Sequence, residues 1–216
     1  RIVARAWPDA VILPLSTGTN NVFPSMLEPT VVGAATALMA RGEVPLESGA
    51  RRAKQIHVTQ ADRHELALVD AVLLRDDILG SLLPFDAGRI DAVFLTRAEP
   101  AAVGMSPIGG FIDPCFEPDD WGLAVECGAP ARYSPMVPIS PGLYAEVRVK
   151  RARRLAFGES VTVTQPGILA FDGDRTLAVD DAHPAVIEIR RDGPWIIDAR
   201  RVMERASREG RLAGTG

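Results

Sequence analysis

One change of texture constrains this chain more than any other feature. Near Pro45 the apolar residues stop recurring at helical spacing and begin to alternate. Before that point, Ala10-Val11-Ile12-Leu13 is a short continuous apolar run, as expected of a parallel strand covered on both faces. A polar loop follows, Ser16-Thr17-Gly18-Thr19-Asn20-Asn21. Then Val31, Ala34, Ala35, Leu38 and Met39 keep helical spacing, with Glu28 placed to cap, Pro29 in the first turn and Gly42 at the close. Strand, loop and helix in this order make one half of a nucleotide-binding α/β unit. Ile2, Val3, Ala6 and Trp7 suggest the last turns of an earlier helix stopped by Pro8. Because the chain opens on Arg1 within that helix, further residues are expected to precede it.

Beyond Pro45, Ile56 and Val58 alternate with His57 and Thr59, and Ala145, Val147 and Val149 alternate with Glu146, Arg148 and Lys150. Strands are also expected over Leu66 to Leu74, Ala92 to Thr96 and Leu123 to Cys127. Asp172-Gly173 and Asp192-Gly193 each sit between apolar runs, the strongest short hairpin signal. This is a β-rich second domain. The end returns to helix, where Asp198 caps a stripe of Ala199, Val202, Met203 and Ala206 before Gly210. The expected divisions are residues 1–45, 46–198 and 199–216, the last packing back on the first.

The chain has 216 residues, 47% of them hydrophobic, enough to bury a real core. No run approaches the roughly 20 apolar residues of a membrane helix. A net charge of −4 offers no electrostatic case for a nucleic-acid partner, and none is expected; nor is a membrane partner. The basic run Lys150-Arg151-Ala152-Arg153-Arg154 reads as a solvated edge, with a phosphate-facing patch as the alternative. Cys115 and Cys127 lack close metal-ligand spacing and suggest no disulfide scaffold, so no metal-ligating residue is assigned and a reducing cytoplasm is the expected setting.

Two segments carry candidate chemistry. In the loop after Leu13, Gly18 lets the backbone approach a phosphate or base, and its hydroxyl and amide neighbours can bond a ribose; a polar turn with self-bonding is the alternative. In Phe171-Asp172-Gly173-Asp174-Arg175, two carboxylates flank a glycine. One can take a hydroxyl proton while the other orients the base or holds Mg²⁺; a plain hairpin turn is the alternative, and on the residues alone the alternatives win in both places. Gly104-Met105-Ser106-Pro107-Ile108-Gly109-Gly110 is no hydrolase nucleophile elbow, because Pro107 has no N–H to donate to an oxyanion. A close-packed Gly-rich loop lining a binding cleft suits it better. His57, His64 and His183 share no motif spacing.

Taken in order, these segments resemble the NAD kinase/diacylglycerol kinase-like superfamily, most closely its AcoX-like (acetoin catabolism protein X) branch. Gly18-Thr19-Asn20-Asn21-Val22-Phe23 is similar to the lipid-kinase pattern G-T-x-N-D-F. Ala67 to Val72 sits where NAD kinases carry a Leu-Asn-Glu-Val-like strand. Gly104 to Pro114 resembles the Gly-rich stretch of the substrate cleft, Val137 to Gly142 the P-I-x-P-H segment, and Leu169 to Arg175 the D-G-E-R segment. The resemblance spans roughly Ala10 to Arg201. It implies α/β plus all-β architecture: a partial Rossmann-like N-terminal domain, a β-sandwich domain and a C-terminal helix. It implies an ATP-dependent kinase acting on a hydroxyl of a small molecule or nucleotide, with Mg²⁺, in a homo-oligomer. ATP would be held by Thr17, Gly18, Thr19 and Asn21. Asp172 and Asp174 would be the catalytic acids, with Asp174 the base, and Asp70, Ser106 and Gly109 would face the acceptor. A sensor of the same fold and a lipid kinase are the alternatives. Departures are specific: the G-G-D-G-T loop belongs immediately before Arg1, Val22 stands for an Asp, Val69-Asp70 for Asn-Glu, Asp174 for Glu and Gly142 for His. They weigh against NAD as the acceptor.

Overall fold

The computed structural model describes residues 2–15, 27–75 and 86–213. In chain order its elements are α1 (Ile2–Ala6), β1 (Val11–Ile12), α2 (Pro29–Ala40), α3 (Leu46–Gly49), β2 (Ala50–Arg52), β3 (Gln55–Gln60), β4 (Arg63–Ala67), β5 (Asp70–Leu74), β6 (Ile90–Leu95) and α4 (Ser106–Gly110). There follow β7 (Trp121–Cys127), β8 (Met136–Ser140), β9 (Leu143–Glu146), β10 (Val149–Ala156), β11 (Ser160–Val163), β12 (Gly167–Phe171), β13 (Arg175–Val179), β14 (Ala185–Arg190), β15 (Trp195–Ile197) and α5 (Ala199–Arg208). The chain forms two compact units. One takes residues 1–53 and 192–216, the other Lys54–Arg191.

In the first unit, β1 pairs in parallel with β15, which pairs antiparallel with β2. The expected parallel strand is present, with Ala10 buried and Val11 47% exposed. Helix α2 starts as its cap predicts: the Glu28 carboxylate accepts from the Thr30 and Val31 amides at 2.8 and 3.2 Å. It ends where Gly42 turns to φ 71°, letting the Glu43 amide reach Leu38 O at 3.0 Å. Asp198 likewise caps α5 by accepting from Arg201 N at 3.0 Å. Ala35 and Leu38 of α2 then pack with Val202 and Ala206 of α5 over Ile197, burying the α5 stripe.

The second unit is a β-sandwich. A six-stranded sheet, ordered β10-β7-β6-β5-β12-β13, faces a four-stranded sheet, β11-β14-β3-β4. Pleating sends alternate residues to opposite faces. Ala71 and Leu73 of β5, Phe94 of β6, and Leu169 and Phe171 of β12 meet Ile56, Val58, Ile187 and Ile189 of the smaller sheet. Val72, Leu74, Val93, Leu95, Leu123 and Val125 point the other way, beneath Ile108 of α4 and Val137 and Ile139 of β8. The basic run lies in β10, an edge strand, as a solvated edge requires.

Three local expectations change. The strand expected from Leu66 to Leu74 is two strands, interrupted at Leu68-Val69, where the backbone amides turn to a side-chain acceptor described below. The Gly-rich stretch from Ser106 is a short helix, all five residues buried, with Pro107 in its first turn. Asp192-Gly193 is no hairpin, because β14 and β15 belong to different sheets. Gly193 instead runs against Ala53, whose carbonyl its amide bonds at 3.0 Å; a Cβ there would stand 2.9 Å from that oxygen.

Candidate functional site at the Asp172 hairpin

Strands β12 and β13 are joined through Phe171-Asp172-Gly173-Asp174, closed by the Asp174 amide on Phe171 O at 3.0 Å. Asp172 and Gly173 take φ 47° and 70°. Two successive positive φ values define a type I′ turn, and Asp-Gly is among its preferred pairs. The turn aims Asp172 sideways at the β4–β5 junction. Its Oδ2 accepts from Leu68 N at 2.8 Å, and its Oδ1 from Val69 N at 2.8 Å and Asp70 N at 3.2 Å. The Asp172 amide returns a bond to Asp70 O at 3.0 Å. On the other side, the buried Thr96 hydroxyl donates to Leu68 O at 2.7 Å and Val69 O at 3.2 Å, and its amide bonds Val69 O at 2.9 Å. One carboxylate thus satisfies three amides of a strand break, and one threonine satisfies its carbonyls.

Asp174 sits at the exposed tip. Its carboxylate meets Arg175 at 3.2 Å, and Arg175 is held in turn by Glu65 at 2.6 Å and by Leu66 O. That network fixes the turn's outer carboxylate over β4. Asp70 opens β5 opposite Leu95, beside Asp172. Ser106 lies at the same sheet end, because the Arg97–Glu99 segment that it holds follows β6: its hydroxyl donates to Arg97 O at 2.9 Å and accepts from Glu99 N at 2.8 Å. Gly109 and Gly110 let α4 approach closely. A Cβ at Gly109 would stand 2.6 Å from Leu123 and 2.8 Å from Leu95, and one at Gly110 2.7 Å from the backbone of Glu99 and Pro100. The structure therefore brings Asp70, Asp172, Asp174, Ser106 and Gly109 to one end of the six-stranded sheet. Thr17, Gly18, Thr19 and Asn21 lie outside the described residues.

Chemically, Asp172 and Ser106 are committed to the backbone around them, whereas Asp174 presents its carboxylate at the surface. Gly142, which stands where the resemblance has a histidine, completes the Pro141-Gly142 turn between β8 and β9 at φ 75°. That conformation favours glycine over any side chain.

A second polar cluster had no motif to announce it. Lys54, 2% exposed, donates to Phe116 O at 2.8 Å, Trp121 O at 3.0 Å and Cys115 Sγ at 3.3 Å. Burial lowers the Lys54 ammonium and raises the Cys115 thiol, each partly offset by the other. Burial also lowers Arg97, against the pull of Glu99 and Glu117. Arg191 grips Glu117 at 2.9 Å and the carbonyls of Glu117 and Asp119, both at 2.9 Å. One signal was available: Lys54 shares the inward parity of Ile56 and Val58, an unusual place for a lysine.

These features define an NAD-kinase-like fold. The crystal structure of yeast NADH kinase complexed with NADH superposes with a TM-score of 0.53 over 95% of this chain and 60% of that chain, at 9% identity. Residues 54–192 match the acetoin catabolism protein X C-terminal domain. The acetoin catabolism protein X of Cupriavidus necator is 34% identical over 96% of this chain. The chain belongs to the acetoin catabolism protein X family, and it spans 60% of the length of that curated relative. Among the described residues no helix is long and apolar enough to cross a membrane.

Proposed function

We propose that this chain supplies the acceptor side of an ATP-dependent, kinase-like enzyme that phosphorylates a hydroxyl of a small molecule or nucleotide. The observation that carries this reading is the Asp172 clamp. It fixes the backbone of Asp70 beside the turn that carries Asp174, at one end of a sheet, in a chain whose fold resembles that of yeast NADH kinase. Asp174 is the base, taking the acceptor's proton as the acceptor oxygen bonds to the γ-phosphorus and ADP leaves. Asp172 acts through the backbone, as a positioning residue for Asp70 and the turn. Ser106 and Gly109 shape the acceptor side through the loop they hold. Thr17, Gly18, Thr19 and Asn21 hold ATP.

Among the described residues no three His, Cys, Asp or Glu side chains gather to hold a metal by themselves. Mg²⁺ would arrive with the substrate phosphates and would need only one or two protein carboxylates, so the reading does not require a three-ligand cluster. The ion would neutralise charge on the transferring phosphate. A cytoplasmic setting accords with two free, buried cysteines, and a homo-oligomer belongs to the same reading.

The test is ADP release by the full-length protein with ATP, Mg²⁺ and a panel of hydroxyl acceptors, lipid vesicles included. Asp174→Asn is expected to abolish turnover while leaving ATP binding intact; full turnover in that variant refutes the base assignment. A non-catalytic sensor is the second reading, favoured by Val22 where the lipid kinases carry an acid. ATP binding without turnover on any acceptor would establish it instead.

A further inference from the structure

The opposite end of the six-stranded sheet carries a separate cleft of about 610 Å³. It is lined by Arg75, just past β5, Ile90 and Asp91 at the start of β6, Gly128 just past β7, Lys150 in β10 and Gln165 ahead of β12. Asp70 and Leu74 bound β5, so this cleft and the Asp172 hairpin are separated by roughly 14 Å of extended strand. The volume is that of a small-molecule site.

Its polar lining is built rather than incidental. Asp91 is only 7% exposed, and both its oxygens are occupied: Oδ1 by Arg75 at 3.0 Å, Oδ2 by Gln165 Nε2 at 2.6 Å. Arg75 is pinned a second time, to Gly88 O at 3.0 Å. A buried carboxylate thus fixes one cation at the wall and is itself neutralised. Arg148 reaches Glu146 at only 3.8 Å, with both side chains exposed, a pairing too weak to hold it against a better partner. Lys150 has no hydrogen bond or ion pair among the described residues. Its side chain lies across Gly128, where a Cβ would stand 3.3 Å from Nζ and where φ is 105°. Among the described lining residues, with Asp91 balanced by Arg75 and Glu146 by Arg148, Lys150 leaves one positive charge in surplus.

We infer that this cleft binds a small organic anion, a carboxylate or phosphate, whose acid group is taken by Lys150 and Arg148 while the half-buried Ala87 supports its body. Lysine and arginine side chains lining one cleft are a usual means of holding such groups. This assigns the basic run of β10 a ligand at its first residue, and it does not depend on the kinase reading.

The experiment titrates the chain separately with inorganic phosphate and with succinate at constant ionic strength, following backbone amide NMR signals. Saturable shifts are expected at Gly88, Gly128 and Ala129, and the stronger of the two titrations identifies the acid group preferred. Lys150→Met and Arg148→Gln, both at exposed positions, are each expected to weaken binding about tenfold or more while unfolding at the parent temperature. No saturable shift with either anion overturns the inference. So do shifts that survive undiminished in Lys150→Met, or that sodium chloride reproduces.

Discussion

Replacing Asp172 by alanine removes the acceptor for three consecutive amides, those of Leu68, Val69 and Asp70. A hydrogen bond to a charged group contributes about 1.5–3 kcal/mol, and an orphaned buried donor costs about 1–3 kcal/mol. The site is half-buried, so water recovers part of the loss, and the three bonds share one carboxylate. We expect about 3–4 kcal/mol of destabilisation, a large fraction of the 5–15 kcal/mol that holds an ordinary domain. Asparagine discriminates between the causes. It tolerates the positive φ of this turn and keeps an oxygen for Val69 and Asp70, but it sets an NH₂ against the Leu68 amide. Its cost should be about 1–2 kcal/mol. Urea unfolding of the parent, Asp172→Ala and Asp172→Asn measures both differences. Should alanine cost less than about 1 kcal/mol, or asparagine as much as alanine, the clamp is not what holds the β4–β5 junction.

Two further outcomes are expected. Gly110→Ala should destabilise by about 2 kcal/mol or more in the same unfolding assay, since its Cβ would meet the backbone of Glu99 and Pro100 at 2.7 Å and backbone cannot swing aside. The Cys127 thiol, 3% exposed, is pushed up to about 12, by burial first and then by Asp91, against Lys150. The native state therefore keeps a proton that the unfolded chain releases above pH 9, and stability falls as pH rises from about 9 toward 12. The loss is at most about 4 kcal/mol over that window. Denaturant unfolding at stepped pH should show a shallower decline in Cys127→Ala; an unchanged slope refutes the assignment.

Much of this architecture is determined by residues close together in sequence. Glu28 and Asp198 cap their helices from two or three residues away, and Gly42 closes α2 within its last turn. Asp172-Gly173 makes its turn because aspartate and glycine both reach positive φ. Alternation along β3, β5 and β12 sorts the core into its two faces, because side chains on a pleated strand have only two directions to take. The candidate acids, too, were legible as a motif. Their division of labour was not. Asp172 spends its oxygens on amides about 100 residues earlier in the chain, and no local pattern names a partner at that distance. The same limit explains Asp192-Gly193, whose dipeptide is identical in kind to the true hairpin but whose flanking strands join different sheets. It explains Lys54, which the sequence marks only by parity, whereas its acceptors come from Phe116 and Trp121. It explains the cleft at Lys150, whose walls come from five separated segments. Sequence determines what a residue can do within a turn or a strand; only the packed sheet decides which distant groups it meets.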